Sequence, residues 1–396
     1  MNVWRESQIG EEIELAYGKS LPAHAREAGT FQVYDSNGWV GSHSKPLVIG
    51  PGIVVGRKGS VGKVSYSTED FWPIDTTYYV VNKKGHDWRF LYHLLSSAGL
   101  DGLNSHSAIP GLNREIAYAV PISLPDKVEQ AQIAFVLDRV ESATNQERVA
   151  IEQTQALKRA TMRALFTHGL RGKAQKETEI GPVPENWEQT TLGDLCKGPG
   201  GAIQTGPFGS QLHKDDYQET GVPVINPTHL DAGRINHENV PRVSGENANR
   251  LDRHRLCAGD IVFARRGQIG RMARVTESEE GWLCGTGSFL VRARQPFVDN
   301  RFLHFQLSTE PVAGWLTAHA AGAIMPNLNN VVLRRIPVFL PSVDEQSEIV
   351  ATLDGIDLKI DLHRRKRAVL EELFKALLQK LMTGEIRATE LNISTV

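Results

Sequence analysis

Along the last part of the chain, positions spaced alternately four and three residues apart run Ile349, Leu353, Ile356, Ile360, His363, Arg367, Leu370, Phe374, Leu377, Leu381. This is a heptad seam, apolar except at its middle, and it predicts a helix of roughly 40 residues, about 60 Å long. The same register stands 216 residues earlier as Ile133, Leu137, Val140, Thr144, Glu147, Ile151, Thr154, Lys158, Thr161, Leu165, more polar but unbroken. A rod of that length with one narrow seam needs a partner helix. Periodicity alone divides evenly between pairing of these two helices and a generic bundle core or an oligomerising coiled coil.

The flanks repeat as well. Val120-Pro121-Ile122-Ser123-Leu124-Pro125 precedes the first helix and Ile336-Pro337-Val338-Phe339-Leu340-Pro341 the second, followed by Glu129-Gln130 and Glu345-Gln346. At the far ends Leu165-Phe166-Thr167-His168-Gly169 matches Leu381-Met382-Thr383-Gly384. The chain is therefore a tandem duplication.

Ahead of each helix lie short β-like runs punctuated by Gly, Pro, Asn and Asp. Strands are predicted over 46–55, 76–81, 222–225, 260–264 and 288–291, and short helices over 88–96 and 300–308. Both regions are mixed α and β, so the fold class is α+β. They start alike, Trp4 and Ile9-Gly10-Glu11 matching Trp187 and Leu192-Gly193-Asp194, but their middles differ. The expected boundaries are 1–125 for the first mixed domain, 126–170 for the first long helix, 171–186 for an exposed linker, 187–341 for the second domain, 342–387 for the second long helix and 388–396 for a tail.

Composition narrows this picture. With 44 Lys and Arg against 46 Asp and Glu the net charge is −2, so any basic surface must be local. Cys196, Cys257 and Cys284 have neither CxxC spacing nor a nearby His pair, which argues against a disulfide framework or a zinc site and fits a reducing cytosol. No basic-then-apolar leader and no run of eighteen apolar residues is visible, so a soluble, cytoplasmic protein without membrane partners is expected.

The sharpest local match between the halves is a strand followed by a basic turn. Ile53-Val54-Val55-Gly56-Arg57-Lys58-Gly59-Ser60-Val61-Gly62-Lys63 aligns with Ile261-Val262-Phe263-Ala264-Arg265-Arg266-Gly267-Gln268-Ile269-Gly270-Arg271. Such a turn brings three positive charges and backbone N–H groups to one edge, which suits a phosphate backbone. A hairpin with merely solvated basic residues is the bland alternative, and recurrence favours the phosphate reading. It is no nucleotide-binding P-loop, because five residues separate Gly56 from Gly62 and Val64 follows Lys63.

A second pair is Pro110-Gly111-Leu112-Asn113-Arg114 against Pro326-Asn327-Leu328-Asn329-Asn330. Amides and a guanidinium read adenine and guanine edges, yet Asn caps and turns chains equally often for local reasons. The divergent middles add Asn37 and Lys45 in the first half and Gln204, Gln211 and Lys214 in the second, all in loops rich in Gly and polar residues. Catalytic signals are poor: no HExxH, paired Cys ligands or nucleophile elbow occurs, and Asp357 and Arg364-Arg365-Lys366 read as solvated helix faces.

Taken together these motifs resemble the specificity subunit of type I restriction-modification systems. The resemblance rests on Pro184-Glu185-Asn186-Trp187, Leu192-Gly193-Asp194, the run from Gln204 to Leu212, Pro223-Val224-Ile225-Asn226-Pro227, the two basic turns, and Leu-Pro-x-x-x-Glu-Gln ahead of each helix. It implies two target-recognition domains separated by two long antiparallel coiled-coil helices. It also implies a non-catalytic subunit that reads a bipartite double-stranded DNA target. Two methyltransferase subunits and restriction subunits would be its partners, with S-adenosylmethionine, ATP and Mg bound on those partners and no cofactor on this chain. The candidate DNA contacts are Asn37, Lys45, Arg57, Lys58, Lys63, Asn113, Arg114, Gln204, Gln211, Lys214, Arg265, Arg266, Arg271, Asn327 and Asn329. A rival reading is a coiled-coil adaptor that assembles proteins and never touches DNA.

Overall fold

The structure is a computed structural model that describes residues 4–103, 111–209, 211–265, 267, 270–320 and 328–391. It divides into two compact units, one of Met1–Ile151 with Leu362–Val396 and one of Glu152–Asp361. Each unit therefore holds one mixed α/β domain and part of both long helices, Lys127–His168 and Val343–Met382. No helix among the described residues is long and apolar enough to cross a membrane.

In the first unit Arg5–Gln8 pairs antiparallel with Pro121–Leu124, so the domain's entry and exit lie side by side. Between them a four-stranded sheet runs in the order Ile13–Tyr17, Thr77–Asn82, Gly52–Gly56, Val64–Ser67, joined by a three-stranded sheet of Gly38–His43, Phe31–Asp35 and Phe71–Pro73. The helix Trp88–Ser97 is capped by Asp87, which accepts from the Phe90 N–H at 2.8 Å, and it buries Phe90, Leu91, Leu94 and Leu95. These side chains share one core with Ile133 and Leu137 of the first long helix and Leu381 of the second.

The second unit repeats the plan. Glu188–Thr191 pairs with Pro337–Leu340, and the main sheet runs Ala202–Thr205, Ser288–Arg292, Ile261–Ala264, Met272–Arg274. Asp299 caps Asn300–Leu307, and Trp187, Phe263, Phe302 and Phe339 pack with Phe166, Ile349 and Leu353 from the long helices. A further small sheet pairs Val222–Ile225 in parallel with Leu283–Cys284, as Phe31–Asp35 pairs with Phe71–Pro73 in the first unit.

The duplicated Glu-Gln at the root of each long helix ties these parts together. Gln130 donates to the Pro125 carbonyl (3.1 Å) and accepts from the Asp87 N–H (3.2 Å), while Gln346 does the same with Pro341 (3.0 Å) and Asp299 (2.9 Å). The acid beside it receives the chain leaving the other long helix: Arg387 on Glu129 and Lys173 on Glu345 at 2.6 Å.

Within each unit the long helices run antiparallel, and every position of both predicted seams is buried or half-buried. The polar seam positions find one another. In the first unit Glu147 accepts from His363 (2.6 Å) and Lys366 (2.5 Å), and Lys366 and His363 hold its carboxyl below the usual range. In the second, Lys158 lies 2.7 Å from both carboxylate oxygens of Asp357. Asp357 and Lys366 are thus ion-pair partners of the other helix, which corrects their expected role as purely solvated faces.

The expected linker 171–186 also differs. Gln175–Thr178 and Gly181–Pro184 form an antiparallel hairpin, and Ile180 and Val183 bury in the second unit's core. Glu177 and Glu179 are exposed along it while Lys173 and Lys176 turn back to Glu345 and the Trp187 carbonyl, so the segment reads as polar although its two aliphatic side chains are anchored. The predicted strand 46–55 is shorter, Gly52–Gly56. The second long helix stops at Met382, two residues before Gly384, whose φ of +70° suits the helix end, rather than at 387. The expected tail begins with a short turn, Ala388–Glu390, whose Ala388 packs into the first unit's core.

Candidate nucleic-acid interface

In the first unit the buried strand Gly52–Gly56 delivers the chain into the basic turn. Gly56 N donates to the Lys63 carbonyl and Gly62 N to the Gly56 carbonyl, both at 2.8 Å, closing the loop. Gly62 has φ +73° and lies so close to the segment at Leu100 and Asp101 that a Cβ there would come within 2.3 Å of backbone. Only glycine fits this corner.

The turn is bonded to the other paired motif. Leu112 N donates to the Arg57 carbonyl at 2.9 Å, and Lys58 bridges Gly111. Asn113 then caps the helix Arg114–Tyr118, its Oδ1 accepting from Glu115 N (2.9 Å) and Ile116 N (3.4 Å). The local role of Asn113 is thus realised. Arg114 follows the cap directly, and its guanidinium lies 5.3 Å from the Tyr17 ring centre, while that of Arg57 lies 5.2 Å away. Arg57 Nη2 donates to the Asp75 carbonyl at 2.6 Å. Behind them, burial pushes the Tyr78 phenol up to about 12.

Lys58 and Lys63 are exposed, and Lys63 Nζ reaches Asn37, donating to its carbonyl (2.8 Å) and Oδ1 (2.9 Å). Lys45 is exposed too, with its charge acting on the Glu27 carboxylate. The structure thus gathers Arg57, Lys58, Lys63, Asn113 and Arg114, with Asn37, around one turn.

The second unit has the same junction. Ala264 N donates to the Arg271 carbonyl (2.8 Å), and Leu328 N to the Arg265 carbonyl (3.1 Å), the counterpart of the Leu112–Arg57 bond. Asn329 caps Asn330–Arg335, accepting from Val332 N at 2.9 Å. Arg265 lies 5.6 Å from the Phe208 ring centre. Arg271 is half-buried and donates to the Pro227 carbonyl at 2.5 Å.

The remaining candidates are held locally. Gln204 donates to the Arg253 carbonyl and lies 3.3 Å from His254 Nδ1, and Gln211 accepts from Phe208 N at 3.4 Å. Lys214 opens an exposed turn with Asp215 and Asp216. Arg266 and Asn327 lie outside the described residues. Three exposed aromatics lie near these turns and loops, Tyr17, Trp39 and Phe208, with 52%, 66% and 51% of their surface accessible: Trp39 and Phe208 stand in the divergent loops that the sequence marks as contact-bearing without being singled out there, and Tyr17 was missed. Strand alternation would have turned Tyr17 inward with Ile13 and Leu15, so its exposure carried no sequence signal.

Among the described residues one group of side chains has metal-donor geometry, His93, Asp138 and Glu141. Arg89 already bridges its two carboxylates, at 2.6 Å from each, so the group reads as a salt-bridge network.

Comparison with known proteins agrees with this architecture. The family described as Type I restriction modification DNA specificity domain matches residues 1–153 and 184–372. The chain is 27% identical to the Type I restriction enzyme MjaVIII specificity subunit of Methanocaldococcus jannaschii, over 86% of this chain and 77% of that one. To the Type I restriction enzyme EcoDI specificity subunit of Escherichia coli it is 21% identical, over 97% and 89%. The crystal structure of the type I restriction-modification S subunit from M. genitalium superposes with a TM-score of 0.63 over 96% of both chains at 17% identity, which supports the fold.

Proposed function

Because the chain belongs to the family of type I restriction modification DNA specificity domains, we propose that it reads a split DNA target, each mixed α/β domain taking one half. It is the specificity subunit of such a system: it has no catalytic role of its own and directs methyltransferase and restriction subunits to DNA. The recognition domains are taken as 1–125 and 187–341, and the helices 126–170 and 342–387 as the spacer that fixes the gap between half-sites. The hairpin in 171–186 and the segment 388–396 belong to the joints between them.

One observation carries the bipartite reading. A basic turn is bonded to a Leu-Asn loop by the same backbone hydrogen bond in both domains, Leu112 to Arg57 and Leu328 to Arg265, although the sequences between these anchors differ. A shared backbone-gripping edge with unlike surroundings is what two unlike half-sites require. Arg57, Lys58, Lys63, Arg114, Arg265, Arg266 and Arg271 are assigned to phosphates or bases. Asn37, Lys45, Gln204, Gln211, Lys214 and Asn327 are assigned to the rim of the same surfaces. Asn113 and Asn329 act by capping the helices that carry their neighbours. With a net charge of −2, much of the phosphate neutralisation falls to the partner subunits.

Mapping adenine methylation across the source genome, with and without the gene, tests this reading. Loss of one split, asymmetric motif is the expected result. An unchanged methylome with the methyltransferase partner expressed would favour the adaptor.

A further inference from the structure

The two basic turns share a feature that their sequences do not align. In the first unit the turn's leading arginine, Arg57, lies over Tyr17, the last residue of the edge strand Ile13–Tyr17. In the second, Arg265 lies over Phe208, three residues beyond the corresponding edge strand Ala202–Thr205. Both rings are about half exposed, at 52% and 51%. The segments supplying them, Glu14-Leu15-Ala16-Tyr17 and Gly206-Pro207-Phe208-Gly209, are unrelated, so an aromatic ring under the arginine has arisen by two different routes.

We infer that Tyr17 and Phe208 are DNA-contacting residues, each an exposed platform that seats the arginine of its turn against one half of the target. This rests on the DNA-reading function proposed above. An aromatic ring holds a guanidinium by its face and leaves the N–H edge directed outward, so less freedom is lost when that edge meets a phosphate or base. The ring's own open surface then packs on sugar or base.

Arg57 is fixed further. Nη2 gives one N–H to the Asp75 carbonyl and Nε is buried without a partner, so part of the guanidinium's donor set is already committed to the protein and its placement is fixed from both sides. The first unit adds a second cation, Arg114, over the same ring, where the second unit has Asn330 at the matching position. Two guanidiniums share one ring, and with Arg114 ion-paired to Glu115 at 3.8 Å the group keeps a net positive charge in a chain of net negative charge. The hydroxyl is not the shared element, since Phe208 lacks one; the ring face is.

The test uses the complex of this chain with its methyltransferase partners, carrying Tyr17→Leu, Tyr17→Phe, Phe208→Leu or Phe208→Tyr. Affinity is measured for duplexes bearing the mapped target or single-base changes in either half. Each Leu variant should bind the target roughly 5- to 30-fold more weakly and relax discrimination in one half only, a different half for Tyr17 than for Phe208, while the two ring-retaining variants stay near wild type. Wild-type affinity and discrimination in both Leu variants, or equal loss in both halves, would overturn the inference. If Tyr17→Leu does not assemble, Arg57→Lys takes its place. It keeps the charge and loses the flat stacked face, so the same one-half loss is expected and its absence counts against the platform. A wild-type complex that discriminates no target would instead remove the underlying function.

Discussion

Lys158 sits on the seam of the first long helix, where an apolar residue would be usual, and its removal should be costly in a way that depends on what is left behind. Its Nζ lies 2.7 Å from both oxygens of Asp357 and 5.0 Å from the Phe305 ring centre, and the two charged side chains are only 21% and 22% exposed. At an effective dielectric of about 20, opposite charges about 3 Å apart attract by roughly 5 kcal/mol, and most of that is cancelled by desolvation of both groups. Lys158→Met keeps the stem packed but strands the Asp357 carboxylate and forfeits the contact with Phe305. The expected loss is about 2–3 kcal/mol, below the figure for a fully buried pair because some water reaches the site. Asp357→Asn should cost about 1 kcal/mol less than that, since the lysine can swing its ammonium outward along a flexible stem. The double variant Lys158→Met/Asp357→Leu removes both charges and should return to within about 1 kcal/mol of wild type.

A chain of two units need not unfold in one step, so the readout is hydrogen exchange of peptides from 152–168 and 343–361 across a urea series. A Lys158→Met cost below about 0.5 kcal/mol, or a double variant no more stable than Lys158→Met, would show that the pair does not contribute as argued.

Three further outcomes follow from the same geometry. His304 is buried, and burial pushes its pKa down to about 3; the unfolded chain takes up this proton below about 6.5 while the folded one does not, so stability should fall as pH drops from about 6.5 towards 3. His304→Phe should reduce that slope in melting scans from pH 7 to 4.5 without abolishing it, because His254 and His229 are shifted the same way and go on contributing. Gly62→Ala should destabilise the first unit by at least about 2 kcal/mol and abolish the ordered turn, whereas Gly267→Ala, whose Cβ would meet nothing within 4 Å among the described residues and is strained only by a φ of +86°, should cost about 1 kcal/mol; differential scanning calorimetry separates the two. Leu353→Ala, at a fully buried seam position, should cost about 2–5 kcal/mol in urea unfolding, against less than about 0.5 for Leu358→Ala, which is 61% exposed.

The helices were legible because a heptad seam is a statement about burial made at every third or fourth residue. Even its polar members obeyed it: Glu147 meets His363 and Lys366, and Lys158 meets Asp357. The strand ends around the basic turns were legible because their apolar runs are buried on both faces, as at Ile261–Ala264. The hairpin at 175–184 was not, since two aliphatic anchors among charged residues leave too weak a period to detect. Tyr17 and Phe208 were illegible for a different reason: a ring under an arginine is a three-dimensional relation between distant strands, and nothing in local spacing encodes it. Asn113 and Asn329 show the converse, where residue type suggested base reading and the backbone had the prior claim.

Each mixed domain enters and leaves through one pair of adjacent strands, Arg5–Gln8 with Pro121–Leu124 and Glu188–Thr191 with Pro337–Leu340. Whatever lies between such a pair is a single insert, but it is keyed to the rods at more than its two strand ends: a replacement would also have to supply the side chains that pack on them, as Phe90 and Phe302 do, and the backbone N–H groups that Asp87 and Asp299 give to Gln130 and Gln346.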